Sequence, residues 1–515
     1  MLGSEPKESP PAMTSGESIL RILEEDATVE AALHFVHIVA DYLAGSKEVE
    51  QRVSSALPPR DLAERFRSLP PRHGLPLSDV AALLRANLIP DSTWLWHPMS
   101  MGHQVAAPLP VAVWTESVIA ALNQSLGVWE MSPVATIIET EVIRWMCGLA
   151  GFGPGSGGTF TSGGTEANFA ALLAARNASL PRAWTEGVGN RSAVILCGEH
   201  AHYSVIRAAG QLGLGTQSVV VIPSDQLRMD VAALEQRVHE FVSADVPIMA
   251  VVAAACSTAT GSFDDLTYIG ELCERFGIWL HVDAAHGGSA LLSDAHRSRL
   301  RGIERARSIT WDPHKMMLMP LSAGMLLVRD LSELEGAFAQ SAPYLFNASR
   351  NTESEYRWDQ GVRSFMCSRR ADALKVWVAL QRYGTEGFGR LYDHLCMTAR
   401  DLHHLLRMHG SFDVFHEPEA NILCFRYVGT GLGTAERLNL LNRKLKQRLD
   451  EDGGALITES FLNGRWVLRV TIMNPRTTRR HLEMLVSKLG ELGRELELEA
   501  EPSEPDPSHS ASHGG

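Results

Sequence analysis

Three short stretches carry residue types at spacings that could do chemistry. The first is glycine-rich, Gly153-Pro-Gly-Ser-Gly-Gly-Thr-Phe-Thr-Ser-Gly-Gly-Thr-Glu-Ala-Asn168, and it runs into an apolar helical segment over 169–175. Glycines let backbone amides approach an anion, and a helix N-terminus adds N–H groups and partial positive charge. Gly163, Gly164 and Thr165 are therefore the candidates for holding a phosphate; alternatively, the glycines merely turn the chain. Gly153, Gly155 and Gly158 spell G-x-G-x-x-G, but a helix rather than a strand precedes them and no acid follows at the dinucleotide spacing. The second stretch is Trp279-Leu-His-Val-Asp-Ala-Ala-His-Gly-Gly288. Asp283 ends an apolar run, where doubly wound sheets place ligand-contacting groups. A carboxylate there is expensive unless paired, so it either meets a cation or caps the next helix. The small residues after it leave room for something flat. The third stretch contains Asp312-Pro-His-Lys315 followed by an apolar run. A desolvated lysine loses its charge more easily and becomes a nucleophile; a lysine that snorkels to the surface does not.

Groups so far apart in sequence must be brought together by a sheet. Short β-rich runs at 193–197, 218–222, 248–255, 278–283, 308–311 and 324–328 alternate with helical runs at 203–212, 231–241, 266–276 and 294–306. This alternation predicts βαβ crossovers and a mostly parallel central sheet with helices on both faces, an α/β fold. The run at 324–328 follows 308–311 with no room for a crossover helix, so one antiparallel strand is expected. Residues 17–93 read as an N-terminal helical arm, 94–383 as the large domain and 384–496 as a small C-terminal α+β domain. In the last, strand-like runs at 421–427, 456–461 and 466–472 precede a helix over 477–496, and Asn463-Gly464 signals a hairpin. Residues 1–16 and 497–515 read as disordered from their composition.

The chain has 515 residues, 47 Lys+Arg against 60 Asp+Glu, and a formal net charge of −13. Hydrophobic content of 45% excludes collagen and wholesale disorder. The acidic balance with no basic stripe argues against nucleic-acid binding. The longest apolar run, 246–256, is too short to span a bilayer, and the N-terminus lacks a signal-peptide pattern. Seven scattered cysteines with no C-x-x-C imply reduced thiols and a cytoplasmic setting.

Ser162-Gly-Gly-Thr-Glu-Ala-Asn168, His200-Ala-His202, His281-Val-Asp-Ala-Ala-His286 and Asp312-Pro-His-Lys315 together resemble the group II pyridoxal-phosphate-dependent amino-acid decarboxylases. That family includes glutamate, cysteine sulfinate, 2,4-diaminobutyrate and aromatic amino-acid decarboxylases. The resemblance covers roughly residues 90–480. It implies the fold-type I, aminotransferase-like architecture and a homodimer with active sites at the interface. It further implies that Lys315 carries pyridoxal 5'-phosphate through its amine and that Asp283 pairs with the ring nitrogen, keeping it protonated. His202 would stack on the ring. Gly163, Gly164, Thr165 and His314 would surround the phosphate, and Thr258 and Ala285 would touch the ring or its substituents. Family members often have Asn before the Pro-His-Lys. Here Asp312 stands in the cofactor-binding set, where an anion would repel a phosphate or instead accept hydrogen bonds from backbone amides.

Tyr344 reads from the sequence alone as a loop aromatic. In the family, a loop at this distance past the lysine carries a tyrosine into the neighbouring subunit's site, where it protonates the reacting carbon; a phenol stays protonated at neutral pH and can donate. Arg469 alternates with apolar neighbours on a strand, as a solvent-facing arginine would. In glutamate-type members an arginine here clamps a substrate carboxylate. His97, His103, Gln104 and Trp129 are further substrate-pocket candidates, in stretches that packing alone could also explain. The segment around Trp129 looks closer to diaminobutyrate-type than to aromatic members.

The expected reaction is release of CO2 from an L-amino acid, leaving an amine, with a short acidic or diamino acid as substrate and Tyr344 or His202 as proton donor. Alternatives are an aromatic amino-acid decarboxylase and, with the same cofactor, an aminotransferase or Cα–Cβ lyase. A catalytically dead relative is opposed by Lys315, Asp283 and Tyr344. A zinc hydrolase on His281, His286, His403 and His404 lacks ligand spacing, and no metal is expected.

Overall fold

In a computed structural model, the described residues are 16–46, 52–55, 57–68, 70–189, 193–340, 342, 344–346, 358–429 and 433–500. Residues 1–15 and 501–515, which hold most of the two tails read as disordered, lie outside them. The chain divides into two compact units, Met1–His97 and Pro98–Gly515.

The first unit is helical, with helices at Gly16–Asp26, Val29–Gly45, Pro59–Phe66 and Leu77–Leu83. Thr28 separates the first two, because its hydroxyl accepts the Ala31 N–H at 3.2 Å and caps the second helix. Tyr42 stacks on Trp94 with ring centroids 4.8 Å apart.

The second unit holds a seven-stranded sheet: β1 (Gly157–Thr161), β2 (Val194–Gly198), β3 (Val219–Ile222), β4 (Ile248–Ala254), β5 (Trp279–Asp283), β6 (Ser308–Trp311) and β7 (Gly324–Val328). The spatial order is β1-β7-β6-β5-β4-β2-β3. The ladders β3–β2–β4–β5–β6 are parallel. β7 is antiparallel to both its neighbours, as the short connection from β6 requires. β4 reads Ile-Met-Ala-Val-Val-Ala-Ala without alternation, the signature of a strand covered on both faces. The helix Gly164–Ser179 contributes an almost continuous buried face of alanines and leucines to the core against this sheet.

Two expectations need correction. β1 was not foreseen, because Gly157 and Gly158 give a strand with little side chain to announce it. Glycine is required there: a Cβ on Gly158 would stand 2.1 Å from the Leu326 carbonyl oxygen. The helix expected over 294–306 is instead two short 3-10 turns, Arg297–Leu300 and Ile303–Arg305. Gly302 between them has φ 95°, and a Cβ on it would lie 2.5 Å from the Thr267 nitrogen, so a continuous helix cannot pass.

A second sheet comprises β8 (Phe412–Val414), β9 (Ile422–Tyr427), β10 (Thr458–Leu462) and β11 (Arg465–Thr471), ordered β8-β9-β11-β10 and fully antiparallel. The three-residue β8 went unforeseen. Asn463 and Gly464 form the expected hairpin turn, with φ 49° and 76°. The helix Ala373–His409 is interrupted at Gly384, whose φ 66° is left-handed. The last helix runs Arg479–Ala500, past the expected end at 496.

Candidate active site

The parallel strands point their C-terminal ends toward one crevice, where open α/β sheets bind ligands. A cavity of about 320 Å³ lies there. Its wall includes Ser162, Gly163, Gly164, Thr165 and Asn168 from the end of β1 and the next helix, and His202 and Tyr203 from the segment after β2. Thr258 follows β4, Asp283 and Ala285 close β5, and Asp312, His314 and Lys315 follow β6. All ten residues expected around a cofactor therefore meet in one cavity, although no two of the contributing segments are adjacent in sequence.

Asp283 is held at the end of β5 by two donors. Asn168 Nδ2 donates to Oδ2 at 2.7 Å, and the Ala285 N–H donates to Oδ1 at 3.2 Å. Asn168 is the hub of this wall. Its amide also donates to Ser204 Oγ at 2.8 Å, and its carbonyl oxygen accepts from Thr310 Oγ1 at 2.6 Å and lies 3.0 Å from His281 Nε2. Sequence reasoning gave Asn168 no role. A signal existed: it lies one helical turn after Gly164, on the face that meets the strand ends.

His202 is tied by Nδ1 to Ser204 Oγ at 2.8 Å, which fixes its ring at the cavity wall. Burial foremost, then the Lys315 ammonium, holds His202 below the ordinary imidazole range, while Asp283 and Asp312 oppose the shift. Asp312 Oδ2 accepts the Gly164 N–H at 3.0 Å and stands 3.4 Å from both Lys315 Nζ and His314 Nε2. Burial would raise this carboxyl, but Lys315, His314 and the Gly164 N–H keep it below the usual carboxylate range. His314 Nδ1 in turn accepts the Ala323 N–H at 3.0 Å. Gly163 has φ 155°, and a Cβ on it would come within 3.2 Å of the His314 ring, so the cradle is open only to glycine.

Arg469 on β11 reaches the wall indirectly. Its Nη1 donates to the Thr258 carbonyl at 3.1 Å and its Nε to Thr458 Oγ1 at 3.1 Å. Burial lowers its pKa. Among the described residues, His103, Gln104, Trp129 and Tyr344 do not line the cavity. His103 is exposed and is held below the ordinary imidazole value by burial of its ring and by the charges of Arg469 and Lys446. The Gln104 amide nitrogen is buried without a partner among the described residues. The Trp129 N–H donates to Asp359 Oδ1 at 2.7 Å. Tyr344 is 84% exposed. His97 belongs to the first unit, where its N–H donates to the Trp94 carbonyl at 2.9 Å.

The donor set fits pyridoxal 5'-phosphate. A lysine amine, a paired carboxylate and a glycine-lined helix N-terminus face one cavity wide enough for a flat ring. The family model described as pyridoxal-dependent decarboxylase conserved domain matches residues 59–428. The chain belongs to the pyridoxal-dependent decarboxylases. It is similar to L-2,4-diaminobutyrate decarboxylase of Rhizobium meliloti (strain 1021), 35% identical over 78% of this chain and 79% of that protein. It is similar to acidic amino acid decarboxylase GADL1 of Mus musculus, 30% identical over 89% and 85% respectively. The crystal structure of mouse CSAD superposes with a TM-score of 0.85 at 27% identity, covering 93% of this chain and 99% of that one. This decarboxylase is thus a pyridoxal-phosphate-dependent carboxy-lyase acting on amino acids.

Among the described residues, no group of three His, Cys, Asp or Glu is placed to hold a metal ion. His281 spends both ring nitrogens on Ser308 Oγ (2.9 Å) and Asn168, and His286 Nε2 bonds Asn421 Oδ1 at 2.7 Å. No helix among the described residues is long and apolar enough to cross a membrane. Among the described residues, six of the seven cysteines are buried and Cys367 is exposed; all seven are free thiols.

The buried histidines set an acid limit on this decarboxylase. Burial holds His281 down to about 4 and His286 down to about 3. Both bind protons more readily once unfolded, near the ordinary 6.5. Their contribution is intact above pH 6.5 and drains away as pH falls, until it is gone below about 4 for His281 and about 3 for His286. Chemical denaturation at a series of pH values should show stability falling by a few kcal/mol over this window, because each tenfold difference in proton affinity is worth about 1.4 kcal/mol. His281→Asn should flatten its upper part. A wild-type profile that is flat between pH 6.5 and 4 would contradict this.

Proposed function

We propose that the chain removes the α-carboxylate of a short acidic or diamino L-amino acid, of the glutamate, aspartate or 2,4-diaminobutyrate type. The observation that carries the reading is the convergence of Lys315, Asp283 and the Gly163–Thr165 cradle on one cavity. The named relatives act on diaminobutyrate and acidic amino acids. Arg469, anchored on the cavity wall at Thr258, supplies a cation for a substrate carboxylate.

Bound pyridoxal phosphate supplies an electron sink for the pair of electrons left when CO2 departs. The protein residues orient and protonate. Lys315 would hold the cofactor through its amine. Asp283, fixed by Asn168 and the Ala285 N–H, would offer a carboxylate oxygen to the ring nitrogen and so favour its protonated form. His202 would cover the ring face. Gly163, Gly164, Thr165 and His314 would hold the phosphate end. Tyr344 or His202 would return a proton to the α-carbon.

The working unit is a homodimer in the cytoplasm. Tyr344 lies off the cavity wall and is 84% exposed, which suits a residue that serves a second copy's site. Trp114, Val118 and Leu122 expose an apolar row at four-residue spacing on one helix. Free buried thiols suit a reducing compartment.

A panel of amino acids assayed for CO2 and amine tests the substrate class. Turnover should favour acidic or diamino acids by at least about tenfold, since a charge left unpaired in the site costs more than about 1.4 kcal/mol. Turnover of aromatic amino acids alone would reject the class. A keto acid in place of the amine would reject the reaction in favour of transamination.

A further inference from the structure

On the cavity wall, Asp312 opposes the ligand that the described residues around it are otherwise suited to hold. Its side chain is almost fully buried. Oδ2 occupies the first N–H of the helix Gly164–Ser179 and faces both Lys315 Nζ and His314 Nε2 at 3.4 Å. Oδ1 is buried with no partner among the described residues, and it lies where a Cβ on Gly324 would come within 2.7 Å. Gly164 itself is pinned against this carboxylate, since a Cβ there would stand 2.9 Å from Oδ2. The carboxylate thus accepts one amide N–H and stands at ion-pair distance from one imidazole and the amine at the mouth of the cradle.

We propose that Asp312 is a positioning residue that loosens the grip on the cofactor's phosphate, its fixed negative charge opposing the phosphate while it holds Lys315 and the Gly164 amide in place. This rests on the reading that Gly163–Thr165 and Lys315 hold pyridoxal phosphate. Two anions in a poorly solvated crevice repel strongly, and a donor engaged by Asp312 is less available to phosphate oxygens. Cofactor loading is thereby kept reversible, so occupancy follows cofactor supply instead of being permanent.

The test compares full-length apoenzyme with its Asp312→Asn variant, which keeps the acceptor at Gly164 and removes the charge. Equilibrium dialysis gives the dissociation constant for pyridoxal phosphate and for pyridoxal, which has the same aldehyde and no phosphate. The expected result is that Asp312→Asn tightens pyridoxal phosphate about tenfold more than it tightens pyridoxal. Equal changes for both ligands, or weaker binding of pyridoxal phosphate, would overturn the proposal; the latter would make Asp312 a ligand. Should Asp312→Asn fail to fold, Asp312→Ser carries the same expectation. If the underlying reading were wrong, wild-type apoenzyme would not distinguish pyridoxal phosphate from pyridoxal at all, an outcome separate from any effect of Asp312.

Discussion

Replacing Lys315 with alanine lowers amino-acid decarboxylation by about 10³-fold or more, equivalent to roughly 4 kcal/mol of transition-state stabilisation. The same change removes the visible absorbance of the amine-bound cofactor. Lys315 is the one lysine on the cavity wall among the described residues, and its side chain is mostly shielded from water, so no neighbouring amine can substitute. Loss of covalent capture should be visible as cofactor that leaves the Lys315→Ala protein on gel filtration but stays with the wild type. Added small primary amines should restore part of the rate, because the pocket left by the side chain admits them. A Lys315→Ala protein that retains both colour and turnover would show that the amine is not the anchor.

The second large effect is at Asp283. Asp283→Asn should lower kcat by about 10²- to 10³-fold, roughly 3–4 kcal/mol. Cofactor should nevertheless remain bound and coloured, since Lys315 and the glycine cradle are intact. The split between colour and rate separates this change from Lys315→Ala. The expected reason is electrostatic: the carboxylate would keep a proton on the ring nitrogen, and an amide of the same shape would not. Asn168 and the Ala285 N–H engage both carboxylate oxygens, so the side chain is aimed before any ligand arrives. An Asp283→Asn enzyme with unchanged kcat would remove Asp283 from the mechanism.

The two variants and Asp312→Asn act on different parts of one site. In the roles proposed above, Lys315 governs attachment, Asp283 the ring's electron demand, and Asp312 the hold on the phosphate. Activity alone would confuse them. Colour, kcat and the contrast between pyridoxal phosphate and pyridoxal do not.

Local pattern carried much of this protein. Apolar runs of strand length alternating with helical runs made the parallel sheet legible, and the break in spacing before 324–328 foretold the antiparallel β7. That Lys315, Asp283 and Gly163–Thr165 would meet at one place was legible from their positions near strand and helix ends together with the family resemblance, and all of them line one cavity. Where side chains gave no periodic signal, the sequence reading failed: β1 is mostly glycine and threonine, and Gly302 breaks an otherwise helical pattern.

Tertiary structure alone decided which groups touch. Asn168 meets Asp283 across 115 positions of sequence, Asp312 meets Gly164 across 148, and Arg469 reaches the Thr258 carbonyl across 211. Such pairs depend on the register of neighbouring strands and the seating of one helix against them. A shift of one residue in a strand turns its side chains to the opposite face. Residue types fix what each group can do, and backbone geometry fixes which partner it finds.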